Sequence, residues 1–324
     1  MVMKKYGRRA VALLLSAIML FALAACGGNE PIEEDSSSVP SSSSAPASSS
    51  EVAPAKISDD TAKKLDEAKV TNPETVSWLY IPNTNIDYPV LYNADDNFKY
   101  ETKDVNGQKS TLDTSKLDAD VKKNLGNTKA YIGAIYFDAR STTPGSSKPS
   151  RNLPIYGHNW TNIVEPYRIG NAKDYDVMFA QLMSYTDEKF AKENPYIYLS
   201  TGEETKVYKV FSAVYFNAYC LNYGTPDLED EDFKKLLDDA QARSVIKFDT
   251  EVSTSDNIIN LITCCRKYPK SKTQITAGGS TFNIQRFAVL ARELRPGETD
   301  KDPVNVSKNT GNIDPTWTTK NFYL

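Results

Sequence analysis

One histidine, His158, stands in 324 residues that hold 19 tyrosines and 12 phenylalanines, and cysteine is nearly as scarce, at four. No CxxC pair and no histidine cluster is present, which disfavours a structural zinc site. An acidic loop of EF-hand spacing is also missing, so calcium has no recognisable cradle, and no organic cofactor is called for. No internal repeat is visible. Basic residues form no stripe with interleaved aromatics, and 38 Lys and Arg are outnumbered by 42 Asp and Glu, for a formal charge of −4. That balance argues against a general nucleic-acid binder. The one long apolar run, "VALLLSAIMLFALAAC", is roughly 15 residues, short of the about 20 that a bilayer-spanning helix requires.

What precedes and follows that run gives it a purpose. Lys4, Lys5, Arg8 and Arg9 stand before it, the arrangement of an export segment. It ends in Leu23, Ala24, Ala25 and Cys26, which resembles the lipobox of bacterial lipoproteins, where cleavage precedes the cysteine and the new N-terminal Cys26 carries lipid. Residues 1–25 are then a lipoprotein-type signal peptide, and losing their four basic residues takes the charge from −4 to −8. An uncleaved N-terminal transmembrane anchor is the alternative; both readings place the domain at the extracytoplasmic face of a bacterial membrane. Residues 26–56 form a lipid-anchored Ser/Pro-rich spacer, too poor in apolar side chains to repay the entropy of ordering. Residues 57–295 have the composition of a folded domain, and 296–324 read as a polar, loosely ordered tail.

Within the domain, Ser58 is expected to cap a helix presenting Ala62, Leu65 and Ala68 to a core. "VSWLYIP", "IDYPVLY" and "YIGAIYF" have strand composition. "YDVMFAQLMSY" and "TDEKFAKENP" read as two helices, the second halted at Pro195. "YIYLS" and "KVYKVFSAVYF" flank a "TGEE" turn, and Thr225 with Pro226 is expected to start a helix carrying Phe233, Leu236, Leu237 and Ala240. "NIINLITC" and "TFNIQRFAVLARELR" close the series. The fold class is mainly β with helical insertions, closer to a barrel than to alternating βαβ units.

Strand parity sets Arg286 on one face with Phe282, Ile284, Ala288 and Leu290. A guanidinium there needs a carboxylate, carbonyls or a polar pocket, or else lies at a barrel mouth with its head in water. Cys264 and Cys265 end the partner strand, where a cysteine is commonly core packing, and Cys220 is a possible disulfide partner for either. With Cys26 lipidated, three cysteines remain and at least one thiol stays free in the monomer. Thiol, imidazole and guanidinium have complementary uses. The imidazole stabilises a thiolate and delivers a proton to a departing amine, and the cation meets the charge of a tetrahedral intermediate. Spacing alone does not establish that the three meet.

"NPETVSWLYIPNTNIDYPVLYNADDNFKY", "YIGAIYFDAR", "LPIYGHNW", "LITC" and "IQRFAVLARELR", in that order, resemble the sortase family, specifically class B. The resemblance spans Asn72 to Arg295 and includes a helical insertion at about Thr225 to Arg243, before the cysteine strand. It implies an eight-stranded sortase β-barrel, with Cys264 as nucleophile, His158 as acid/base and Arg286 as the residue that stabilises the oxyanion or positions the substrate carbonyl. The implied reaction is cleavage of an NPxTN-like C-terminal sorting signal after Thr on a secreted protein. A thioester then passes the protein to a peptidoglycan precursor or cross-bridge amine. The resemblance gives Cys265 no role, leaving packing or a local redox hazard. The chain departs from the pattern at Asn260 and Ile262 of "NLITC", in its extended "STTPGSSKPS" loop and in its lipobox. The alternatives are a lipid-anchored cysteine peptidase with water as acceptor, or a non-catalytic surface binding protein on the same fold.

Overall fold

The computed structural model describes residues 55–277 and 280–324; the export segment, Cys26 and the spacer up to Pro54 lie outside the described residues. Eight strands close on themselves: β1 (Thr75–Tyr80), β2 (Asp87–Leu91), β3 (Ile135–Phe137), β4 (Asn152–Tyr156), β5 (Tyr196–Ser200), β6 (Glu204–Asn217), β7 (Ile258–Cys264) and β8 (Gln285–Glu293). Their spatial order is β5, β1, β2, β3, β4, β7, β8, β6, and β6 pairs with β5 to seal the barrel. The expected eight-stranded barrel is therefore the observed one. Closure leaves β5 and β6 no free edge at the seam, which protects backbone groups that would otherwise template aggregation. Ala55 and Lys56, at the end of the expected spacer, add a short strand beside Thr205 and Glu204 of β6.

Two apolar layers explain why β7 and β8 read as continuous hydrophobic runs. Leu261 and Ile259 of β7, with Phe287 and Val289 of β8, fill the barrel interior. The alternate residues Ile258, Ile262, Ala288 and Leu290 face outward and are covered by a helix, Asp230–Arg243, through Phe233, Leu236, Leu237 and Ala240. A strand buried on both faces loses its polar alternation. Burial of Phe233, Leu236 and Leu237 contributes about 1.5–3 kcal/mol apiece.

Local expectations fared unevenly. Ser58 caps the helix Asp59–Thr71 by accepting from the Thr61 N–H at 3.2 Å, and Leu65 and Ala68 are buried, with Ala62 partly so. The insertion helix starts at Asp230, four residues later than a Thr225 cap with Pro226 first would set it. Thr225 instead turns its hydroxyl back to the Leu221 carbonyl at 2.8 Å, and the Pro226 carbonyl accepts from Asn152 N–H. That segment is spent strapping the helical insertion to β4. Ala180–Thr186 is a buried 3₁₀ turn in place of an α-helix, followed by the expected short helix Glu188–Glu193, capped by Asp187. The final strand motif breaks at Ile284: Ser280–Asn283 forms a hairpin with Gln274–Ala277, and β8 begins at Gln285. Phe282, placed by parity beside Arg286, is therefore on another element and half exposed.

The C-terminal segment corrects the sequence reading most. Instead of trailing loosely, Val306–Lys308 pairs with Ile246–Phe248, and Asn217 Nδ2 donates to the carbonyls of Thr316 and Thr318 at 3.0 and 2.9 Å. Trp317 packs edge-on against Tyr268, and Phe322 runs beside Cys220, exchanging backbone hydrogen bonds with Tyr219 and Leu221. Polarity misled because the tail satisfies its backbone on the domain and needs only a few apolar anchors. Among the described residues no helix is long and apolar enough to cross a membrane.

Candidate active site

Register brings the three candidate residues level. Across the antiparallel pair β7 and β8, Arg286 lies directly opposite Cys264. Across the parallel pair β4 and β7, partners run from Asn152 with Ile258 to Tyr156 with Ile262. The same separation of 106 continues past the strand end, where Thr263 Oγ1 donates to the Gly157 carbonyl at 2.7 Å. Carried one residue further, it sets His158 level with Cys264. Histidine, cysteine and arginine thus occupy neighbouring tracks spaced by about 4.8 Å per strand, and all three line one cavity of about 90 Å³ together with Glu101, Tyr136 and Tyr156.

The histidine is fixed from several sides. Asn159, 3% exposed, donates from Nδ2 to the Cys264 carbonyl at 3.2 Å and accepts from Asn162 N–H at 3.0 Å, tying the turn to the end of β7. Phe179 N–H donates to the His158 carbonyl at 2.9 Å. Gly157 has to be glycine, because a Cβ there would lie 2.7 Å from the Phe179 ring. The imidazole lies 5.0 Å from the Trp160 ring, which is itself held by Nε1–H donating to the Tyr131 carbonyl. His158 Nε2 sits 2.7 Å from the Glu101 carbonyl. A carbonyl only accepts, so Nε2 carries the proton and Nδ1 of the neutral ring keeps its lone pair. Burial pushes the imidazole below the ordinary histidine range, with Arg286 adding to that effect and the Glu101 carbonyl opposing it.

Adjacent cysteines separate by face. Cys264 is half-buried on the cavity side, whereas Cys265 is fully buried in the barrel interior, where burial pushes its thiol far up. Packing is therefore its role. Cys220 is buried and free, its thiol pushed up to about 12 by burial, so neither candidate disulfide is formed. Arg286 Nη1 donates to the carbonyls of Asn283 and Gln285, both at 2.9 Å. Those carbonyls meet the need for partners that its strand position raised, and among the described residues Nε and Nη2 take no protein acceptor.

A larger cavity of about 290 Å³ shares Glu101, Tyr136, Tyr156, Ile262 and Arg286 with the first, extending it into a groove towards Phe98, Arg140, Phe216 and Leu221. Its wall contains a group that sequence reasoning quoted in "YIGAIYFDAR" without a role. Arg140 forks onto Asp138 at 2.8 and 3.0 Å, and the Tyr156 hydroxyl donates to the same carboxylate at 3.0 Å. Burial opposes ionisation of Asp138, but the Arg140 contacts outweigh it and hold the carboxyl below its usual range. Only an aspartate two residues before an arginine hinted at this pairing. Asn260, noted as a departure in "NLITC", is buried and donates from Nδ2 to the Tyr223 carbonyl at 2.8 Å, anchoring the segment that lines the groove.

No family model matches the sequence. Sortase B of Listeria monocytogenes is 28% identical over 215 residues, 66% of this chain and 72% of that protein. Sortase B of Staphylococcus aureus is 24% identical over 231 residues, covering 71% and 79% respectively. Among solved structures, sortase B of Clostridium perfringens matches with a TM-score of 0.51 at 25% identity, over 71% of this chain and 99% of that one. The Staphylococcus aureus sortase B–substrate complex matches with a TM-score of 0.51 at 22% identity, over 72% and 86%, a likeness of fold. With the ordered motifs and the closed barrel, these matches make the chain similar to class B sortases in sequence and in fold.

Proposed function

We propose that this chain is a cysteine transpeptidase that cuts an NPxTN-like sorting signal after Thr and joins the new carboxyl end to a peptidoglycan amine. Similarity to class B sortases supports cysteine transpeptidase activity at the family level. The observation that carries the residue roles is the shared level of His158, Cys264 and Arg286 on adjoining tracks around one cavity.

In the first half-reaction, Cys264 Sγ attacks the threonine carbonyl carbon as His158 Nδ1 takes the thiol proton. The tetrahedral oxygen gains charge facing the guanidinium of Arg286, whose Nε and Nη2 are uncommitted donors, and this interaction strengthens only as charge develops. Collapse breaks the C–N bond, Nδ1–H gives its proton to the leaving amine, and a thioester remains. In the second half, an acceptor amine attacks the thioester, Nδ1 takes the amine proton, and the thiolate departs to recover it. The groove offers Phe98, 67% exposed, as an apolar contact for the sorting peptide.

Mass spectrometry of the enzyme trapped with an NPxTN-type peptide tests the assignment. A thioester on Cys264 is expected, retained in Cys265→Ala and lost in Cys264→Ala. An adduct on Cys265, or unchanged turnover in Cys264→Ala, overturns it. Adding an amine then has to convert hydrolysis product to amide, which separates transfer from a peptidase using water.

A further inference from the structure

A second cavity, of about 360 Å³, shares no lining residue with the groove and is bordered by three cations, Lys123, Arg266 and Lys270. Among the described residues none of the three enters an ion pair, whereas their neighbour Lys267 is neutralised by Glu165 at 2.6 Å. In a chain whose acids outnumber its bases 42 to 38, three uncompensated cations around one hollow make a local electropositive site. Arg266 is held there: its N–H donates to the Ile163 carbonyl at 2.8 Å and its Nη1 to the Asn124 carbonyl at 2.9 Å, leaving the rest of the fork unclaimed. The buried Gln285 and Thr273 bond to each other at 2.7 Å. They supply a stiff floor, so the charge recognition falls to the three cations.

The cavity adjoins the reacting residues through Asn283, which lines it. Asn283 Nδ2 donates to the Cys265 carbonyl at 2.6 Å, and the Asn283 carbonyl accepts from Arg286 Nη1 at 2.9 Å. Arg266 itself follows the nucleophile by two residues. We propose that this cavity anchors the second substrate by binding an anionic group, phosphate or carboxylate, carried by the molecule whose amine resolves the thioester. The proposal rests on the transpeptidase reading above. An arginine fork with two lysines suits either anion, and tethering the acceptor at one end raises the effective concentration of its amine at the thioester.

The test uses the full chain, as wild type, Arg266→Gln and the double variant Lys123→Gln/Lys270→Gln. Calorimetry with inorganic pyrophosphate and with succinate reads the site directly, and whichever anion binds more tightly identifies the preferred class. Kinetics compare three acceptors: a short glycine peptide with a free carboxylate, its neutral amide, and aminoethyl phosphate. The variants should raise KM for the preferred anionic acceptor by about tenfold or more while leaving the neutral amide and the release of the sorting-signal fragment unchanged. Absence of anion binding to the wild type, or an equal rise in KM for the neutral amide, overturns the proposal. Should Arg266→Gln fail to fold, the double variant of exposed lysines decides. If no acyl-enzyme forms, the transpeptidase reading falls, while calorimetry still decides whether the anion site exists.

Discussion

Replacing Gly133 by alanine puts the packing around the imidazole to a quantitative test. Gly133 has φ +66, and an added Cβ would lie 2.6 Å from the Tyr100 carbonyl oxygen, 2.9 Å from His158 Cδ2 and 3.3 Å from the Glu101 carbonyl oxygen. The last of these is the acceptor for His158 Nε2–H, so one methyl group presses on both ends of the bond that fixes the ring. The left-handed backbone costs alanine about 1–2 kcal/mol, and forcing atoms apart in a packed corner about 1–3 more. At about 2–4 °C per kcal/mol for a domain of this size, the melting temperature should fall by on the order of 10 °C. A ring displaced by about 1 Å should cost on the order of 100-fold in kcat. Gly107→Ala is the control, with φ +72 and nothing within 4 Å of its Cβ; it bears the backbone cost alone and should keep its activity. Thermal melts and peptide-cleavage kinetics on the three proteins decide. If Gly133→Ala melts with Gly107→Ala and turns over like the wild type, the packing does not position the histidine.

The solitary histidine gives one imidazole signal by NMR, and its titration midpoint should fall below the ordinary value of about 6.5, because burial and Arg286 both disfavour the cation. Arg286→Met should move it upward; a wild-type midpoint above the ordinary value would refute the assigned environment. The same shift has a stability consequence of definite sign. Above the ordinary histidine value both states are neutral, and as pH falls the unfolded chain takes up a proton first, so His158 subtracts from stability on the acid side. Denaturant melts of wild type and His158→Gln should therefore differ in slope below that value, with the variant losing less. Deleting residues 315–324 should uncover Cys220, now beside Phe322, for alkylation by iodoacetamide; continued protection would show that the tail does not shield it.

Much of the fold was legible because its signals are local. Ser58 announces a helix start through one hydroxyl, and the repeat of Phe233, Leu236, Leu237 and Ala240 specifies a buried face whatever it packs on. Thr225 misled because its hydroxyl had a competing partner, the Leu221 carbonyl, that only the folded turn supplies. The tail misled for a related reason, its order coming from Asn217 and Tyr268, distant in sequence. Asp138 and Arg140 were visible as neighbours, but their value as a groove wall depends on Tyr156 and on burial.

By itself, the sequence determined the supply of chemistry: one imidazole, a thiol ending an apolar strand, and an arginine on the next. Period two also required Cys264 and Cys265 to point to opposite sides. Which side held the cavity was decided by closure of the barrel, since only a closed sheet has an inside, and there Cys265 is buried. The meeting of His158 with Cys264 was likewise a matter of register between β4 and β7, set by side chains packing on both faces of β7. A slip of one residue would turn the thiol into the core, and no pattern within either strand alone fixes that alignment.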